Sequence, residues 1–455
     1  MICYLLIFVI LLSLLATNVL SSESDENRFY VYVINVYPDQ LFSQQTNITI
    51  LVNELLHENV PVYWITKDIE VTTSSLNSIS TSIKRSFNKG SFLITFDSTP
   101  STDIRAISII NNYFLNYDVE AYRLNDKLEN LDVIELVEPK IAHYAGKAVY
   151  TTHKYILADG GFQNQKELTP EQVLDELTNE YYNVLIWGGG DSSAIVEIRQ
   201  DIVSIRGLQV RKKIRSFVAN GGGYTGSCYG GWRASSGIKR PLGIPQYLGT
   251  SQLLNLLPMQ LDLLNVNVYR ALPGSGDVDL KITNTDHPLT YGLPDIIHNH
   301  SYVGGPMFIE KKFFKSNVET IGIIEDVSLD DWDWDDYMTL CPWWSSTFVS
   351  EETKMKIARD WMDQDIGKPI WVTGKFGEGK VVAFGGHPEY ASSGDWNMGY
   401  DEMPRTVYNS IFYACSKDKS QISLDKSYSF SKLDVDAGGP YIGLMDENIQ
   451  FSGNV

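Results

Sequence analysis

Gly226-Ser227-Cys228-Tyr229-Gly230-Gly231 is the stretch from which the fold can be read. It follows the short strand-like run Gly223-Tyr224-Thr225 and leads into a helix, so a small-x-nucleophile-x-small pattern sits between a strand and a helix. That is the pattern of a nucleophile elbow. Small residues are needed because the turn is tight and holds the nucleophile's backbone in a strained conformation. The turn would lift the Cys228 thiol to the top of a sheet, at a helix N-terminus, where unpaired N–H groups and the helix dipole favour a thiolate. Strands that feed helices in this way build an α/β domain on a parallel sheet.

Chemistry at such a thiol needs a base and a set of oxyanion donors. Gly385-Gly386-His387-Pro388-Glu389 follows the apolar run Lys380 to Phe384, which places His387 on a loop at the same sheet edge with Glu389 able to orient its ring. The Tyr229 N–H comes directly after the nucleophile. A second donor could come from Gly188-Gly189-Gly190, at the end of the buried run Tyr182 to Trp187, where absent side chains let backbone amides face a ligand. Cys228, His387 and Glu389 are therefore the candidate catalytic residues, with Gly188, Gly189, Gly190, Tyr229 and Trp232 as oxyanion and substrate-binding candidates.

Working outward, Lys140 to Tyr144 reads as a strand, Thr169 as an N-cap with Pro170 at the first helical position, Val210 to Val218 as a helix with a basic face, and Arg405 to Ala414 as a closing helix. Pro369 to Phe376 and Lys380 to Phe384 form a hairpin around Gly377-Glu378-Gly379. Before residue 138, strand-like runs (Phe29 to Val36, Pro61 to Ile65, Ser91 to Phe96) alternate with helical ones (Thr49 to His57, Ile104 to Tyr117), which predicts a smaller parallel α/β domain over about 26–135. That domain has no Gly-rich phosphate loop and no convergent His, Cys or carboxylate set, and reads as structural or partner-binding.

Residues 140 to 415 resemble the class I glutamine-amidotransferase-like superfamily, and within it the family of the biotin–protein ligase N-terminal domain. The resemblance rests on Ile186-Trp187-Gly188-Gly189-Gly190-Asp191, the elbow around Cys228, Tyr302-Val303-Gly304-Gly305-Pro306-Met307-Phe308, and Gly379 through Glu389, in family order. It implies a flavodoxin-like three-layer sandwich with a Cys-His-Glu triad, which falls on Cys228, His387 and Glu389. The glutamine amidotransferases carry Gln four residues after the nucleophile, where it binds substrate glutamine; here that position is Trp232. Ordinary glutaminase activity is therefore not expected, and hydrolysis of a small amide or peptide fits better.

Residues 1–22 read as a signal peptide: Cys3 to Leu15 is apolar except for Ser13, and a small and polar run follows. Asn47-Ile48-Thr49 and Asn299-His300-Ser301 are sequons compatible with export. The net charge of -19 argues against nucleic acid or an anionic membrane surface as partner. Once Cys3 leaves, three cysteines remain; Cys341 and Cys415 could pair and leave Cys228 free. Residues 417–433 read as a polar linker. Residues 434–455, with Gly438-Gly439-Pro440-Tyr441, resemble the start of a polycystic-kidney-disease (PKD) repeat, a β-sandwich of which too little is present to fold alone.

Other features point elsewhere or nowhere. Asp330 to Tyr337 packs acids and aromatics into one stretch, read as a solvated loop in preference to a Ca²⁺ site; with Trp343 and Trp344 it could also cover the site or stack on sugar rings. His143, His153 and His300 show no metal spacing and are assigned to surface or loop. The Tyr302 to Phe308 turn should line the pocket. The expectation is a secreted or surface-displayed thiol amidohydrolase with no metal or organic cofactor. Its rival is a non-catalytic adhesion module, with a cell-surface or glycan partner and the old site reused as a pocket.

Overall fold

The computed structural model describes residues 31–75, 82–95, 100–147, 149–190, 205–238, 254–257, 259–262, 275–303, 305–310, 317–327, 365–390 and 404–424, with scattered positions between 350 and 363. The expected signal peptide, the acidic-aromatic stretch, Cys341 and the PKD-like tail lie outside them. Among the described residues no helix is long and apolar enough to cross a membrane.

Val31-Tyr32-Val33-Ile34, buried at every position, is β1 of an eight-stranded sheet. The others are β2 (Val62–Ile65), β3 (Ile69–Ser75), β4 (Ser82–Phe87), β5 (Phe92–Thr95), β6 (Ala121–Leu124), β7 (Leu128–Glu135) and, from the far end of the chain, β20 (Lys419–Leu424). Two helices cross over one face, α1 (Phe42–His57) between β1 and β2 and α2 (Pro100–Asn116) between β5 and β6. The expected parallel sheet is not what forms. The order is β20-β7-β2-β5-β1-β6-β3-β4, and every pairing is antiparallel. Each crossover does return the chain in its starting direction, but β5 inserts between β1 and β2, and β1 between β5 and β6. These are two interlocked split β-α-β units. The sequence pattern fixes crossover direction and is silent on what inserts between the strands.

The second sheet has nine strands, ordered β15-β14-β17-β18-β19-β11-β10-β8-β9. Here β8 is Ile141–Tyr144, β9 Gln165–Leu168, β10 Val184–Trp187, β11 Gly223–Ser227, β14 Ser275–Ile282, β15 Ile296–Val303, β17 Glu319–Val327, β18 Pro369–Phe376 and β19 Gly379–Phe384. A three-stranded patch of β12 (Gly237–Ile238), β13 (Met259–Asp262) and β16 (Met307–Glu310) lies apart. From β9 to β19 the large sheet is parallel; from β19 to β15 it is antiparallel. The expectation of a parallel sheet thus holds for five strands and is corrected for four, because hairpins such as β18–β19 add strands without crossover helices.

Helices α3 (His153–Asp159), α4 (Pro170–Glu176), α5 (Ile205–Ala219), α6 (Tyr229–Ala234) and α7 (Pro404–Cys415) complete the described set. Thr169 accepts the Gln172 N–H in a capping box, with Pro170 following it, as its sequence predicts. Alternation places Leu185, Val381 and Ala383 in the core beneath α4, α5 and α6, while Val184 and Ile186 join α7 on the other face. That second face is shared. Trp64 of the first sheet meets Phe412 of α7 edge-on, with ring centroids 5.8 Å apart, and one buried cluster runs from Tyr32 through α1 and α7 to Ile141 and Val184. The two predicted domains therefore share a core. The expected linker is partly strand: Lys419–Leu424 pairs with β7 and returns the chain to the first sheet.

Candidate active site

Four strand ends converge at the C-terminal edge of the parallel strands. Gly188 follows β10, Cys228 follows β11, His387 lies three residues beyond β19, and Val303 ends β15. Parallel α/β sheets bind ligands at this edge, because the loops between strand and helix meet there.

Cys228 caps α6 with φ 48° and ψ −108°, a backbone state that costs a non-glycine residue about 1–3 kcal/mol. Two hydrogen bonds hold it, from Cys228 N–H to the carbonyls of Phe384 (3.0 Å) and Gly386 (3.2 Å). The glycines flanking it are required by close approach: a Cβ at Gly230 would lie 1.7 Å from the Trp187 carbonyl oxygen, and one at Gly226 2.5 Å from the Gly230 carbonyl carbon. The elbow read from the sequence is therefore a physical turn. Cys228 Sγ lies 3.6 Å from the Val303 carbonyl, so the Tyr302 to Phe308 segment does line the nucleophile.

His387 Nδ1 and Glu389 Oε1 are 3.0 Å apart, and Cys228 lies near enough to act on the ring. Burial works against a charged His387 ring, but Cys228 and Glu389, through charge and hydrogen bonds, outweigh it and push the ring up to about 10. Burial likewise opposes an ionised Glu389, yet His153 and His387 hold it down to about 2. The pair is thus an imidazolium and a carboxylate in the neutral range.

All three candidate catalytic residues are brought together, as are the flanking glycines. A Cβ at Gly189 would lie 2.5 Å from His387 Cε1. The Gly188 carbonyl accepts Gly230 N–H at 3.2 Å and the Gly189 carbonyl accepts Tyr150 N–H at 2.8 Å, which fixes the loop against the elbow. Gly190 bridges to Val149. Tyr229 is buried beside the nucleophile, and Trp232 is half-buried in the core on the α5 side, its N–H on the Cys228 carbonyl at 3.0 Å.

Several site residues were not visible in the sequence. Ser227 Oγ donates to Glu389 Oε1 at 2.9 Å, and Tyr390 stacks on His387 with centroids 4.6 Å apart. His143, His153 and His300, assigned to surface or loop, are all buried. His143 bonds Gln165 at 2.8 Å, His300 lies 3.4 Å from Trp371 Nε1, and His153 Nε2 lies 3.5 Å from Glu389 Oε2. Ser227 and Tyr390 adjoin motif residues and could have been found by that adjacency. No sequence signal ties His153 to Glu389, 236 positions away by numbering. Among the described residues no three His, Cys, Asp or Glu side chains are grouped to hold a metal.

No protein-family model matches the chain, and no curated protein sequence matches it. Among solved structures, a cytoplasmic protein from Salmonella typhimurium is similar at 13% identity and TM-score 0.34, over 78% of this chain and 97% of that one. A protein described as ThuA-like from Bacteroides uniformis is similar at 14% identity and TM-score 0.33, over 62% and 93%. A beta-galactosidase from Bacillus circulans is similar at 12% identity and TM-score 0.31, over 62% of this chain and 31% of that one. Likenesses this distant carry no argument about activity. The class that stands on the chain's own elements is a mixed α/β protein with two large sheets.

Proposed function

We propose that this chain is a thiol amidohydrolase of the class I glutamine-amidotransferase-like type, secreted or displayed at a surface, acting on a small amide or peptide. The observation that carries the reading is the convergence on one buried point of a positive-φ Cys228, His387 and Glu389. The order of the five parallel strands, 2-1-3-4-5 from β9 to β19, supports a flavodoxin-like core within the larger sheet.

In this reading the Cys228 thiolate attacks the substrate carbonyl carbon, and the carbonyl electron pair moves to oxygen. Backbone N–H groups of Tyr229 and the Gly188–Gly190 loop stabilise that oxyanion. His387 gives its proton to the leaving nitrogen as the C–N bond breaks, releasing the amine and leaving a thioester. Neutral His387 then takes a proton from water while the hydroxyl adds to the thioester carbon. The C–S bond breaks, the acid leaves, and the thiolate and imidazolium are restored. Glu389 orients the ring throughout. Trp232 stands where a glutamine-binding Gln would be, which argues for a substrate other than free glutamine.

The test is alkylation of Cys228 by iodoacetamide at pH 6–7. Wild type should react at least about tenfold faster than a free cysteine model, and His387→Ala should abolish the difference. A wild-type rate equal to the free thiol, with no His387 dependence, overturns the reading.

A further inference from the structure

Glu389 presents two oxygens, and the triad uses one. Oε1 lies 3.0 Å from His387 Nδ1 and accepts from Ser227 Oγ at 2.9 Å. Oε2 has neither of these partners, and no hydrogen bond reaches it among the described residues. A fully buried carboxylate oxygen without a donor is costly, on the order of 1–3 kcal/mol or more for a charged group. A histidine stands close to it. His153 Nε2 stands 3.5 Å from Oε2, with both side chains almost wholly excluded from solvent, and both His153 nitrogens also lack a hydrogen-bond partner.

Two orphaned buried groups 3.5 Å apart form a pair just beyond ordinary hydrogen-bond distance. We propose that His153 is a positioning residue of the thiol site: its Nε2–H closes on Glu389 Oε2 and fixes the carboxylate, and through it the His387 ring, in the attacking geometry. This rests on the Cys228–His387–Glu389 reading above.

The surroundings of His153 agree with that role. It opens α3, and its other nitrogen lies under the oxyanion loop, where a Cβ at Gly188 would come 3.4 Å from Nδ1. The preceding residue, Thr152, approaches the hydroxyl of Tyr390, the ring stacked on His387. The start of α3 thus touches the triad loop from two sides. Burial lowers His153 from its ordinary value, more than the Glu389 charge raises it, with His387 adding to the lowering. A neutral ring can donate from one nitrogen only, and Nε2 is the nitrogen that meets an acceptor.

The experiment is the pH profile, from 5 to 9, of Cys228 alkylation by iodoacetamide in wild type, His153→Phe, His153→Gln and His387→Ala, with thermal unfolding recorded for each. Phe keeps the bulk and removes the donor; Gln puts an amide N–H near the place of Nε2. H153F should lose about three- to tenfold in rate at pH 6.5 and move its profile up by about half to one pH unit, while H153Q stays within about twofold of wild type. A folded H153F with the wild-type profile overturns the proposal, and so do equal losses in H153F and H153Q, since packing alone would treat them alike. Should H153F fail to fold, H153M serves in its place under the same criteria. Wild-type alkylation no faster than that of H387A overturns the triad reading itself, and this one with it. Fast wild type with an unaffected H153F removes His153 alone.

Discussion

Gly189 and the ring of His387 touch across two strand ends, so closely that a methyl group at 189 would lie 2.5 Å from Cε1. The ring cannot simply swing aside. Its Nδ1 faces Glu389 and its face is stacked on Tyr390. Gly189→Ala therefore has to move either the ring or a loop whose carbonyl is bonded to Tyr150 N–H. Alkylation of Cys228 at pH 6.5 should fall about tenfold or more, since displacing a reacting group by about 1 Å costs that much. Stability should fall by about 1–3 kcal/mol, the usual cost of overpacking. A G189A protein that alkylates at the wild-type rate would show that this loop does not hold the base.

Charge on the buried pair makes stability depend on pH in a defined direction. Glu389 is held at about 2 against an ordinary 4.5, so its contribution is complete above 4.5 and is lost as pH falls toward 2. His387 is raised from 6.5 to about 10, so its contribution is complete below 6.5 and is lost as pH rises toward 10. The two ranges overlap between about 4.5 and 6.5, and only there are both contributions complete. The difference in melting temperature between wild type and Glu389→Gln should accordingly vary with pH in favour of wild type at 5–6, and shift against it towards pH 3 and pH 9. A difference that is flat across that range rules the pair out as a charged one.

The shared core bears on how the chain can be divided. Phe412 of α7 meets Trp64 of the first sheet and, with centroids 5.1 Å apart, Phe162 of the second half. Arg405, fully buried on the same helix, donates to the carbonyls of Tyr37 and Gly292 and to Gln40 Oε1, joining segments from both halves. A fragment cut at 138–416 would expose this face of α7. It should be insoluble or bind hydrophobic dyes, whereas 31–424 should unfold in one transition. Arg405→Met in the full chain should cost about 3 kcal/mol, because it strands three acceptors. A cooperative, dye-silent 138–416 fragment would restore two independent domains.

The elbow was legible because its constraints are local. Gly226 and Gly230 are dictated by contacts within a few residues and one neighbouring strand, and a motif can carry that. His387 and Glu389 were legible for the same reason, being two residues apart on one loop. The antiparallel first sheet was not, since nothing in Phe92–Thr95 says that it inserts between β1 and β2. Nor was β20: Lys419–Leu424 is largely exposed and polar, and only its pairing with β7 makes it a strand. His153 was illegible because its partner is supplied by tertiary folding alone.

The two described thiols should differ in reactivity, which makes the labelling experiments clean. Cys415 is a free thiol in the structure, and Cys341, with which it could pair, lies outside the described residues. Its Sγ lies 3.7 Å from the carbonyls of Val137 and Phe412 at the end of α7. Burial pushes it up to about 12, with Lys380 opposing only in part. The thiolate is the reacting species, so Cys415 is inert near neutrality. Cys228 instead sits at the turn before α6, facing His387. Mass spectrometry after brief iodoacetamide treatment of the native protein at pH 7 should find label on Cys228 and none on Cys415, and Cys415→Ser should leave the rate at Cys228 unchanged. Label appearing on both at similar rates would mean that the face of α7 holding Cys415 opens in solution, and the shared core with it.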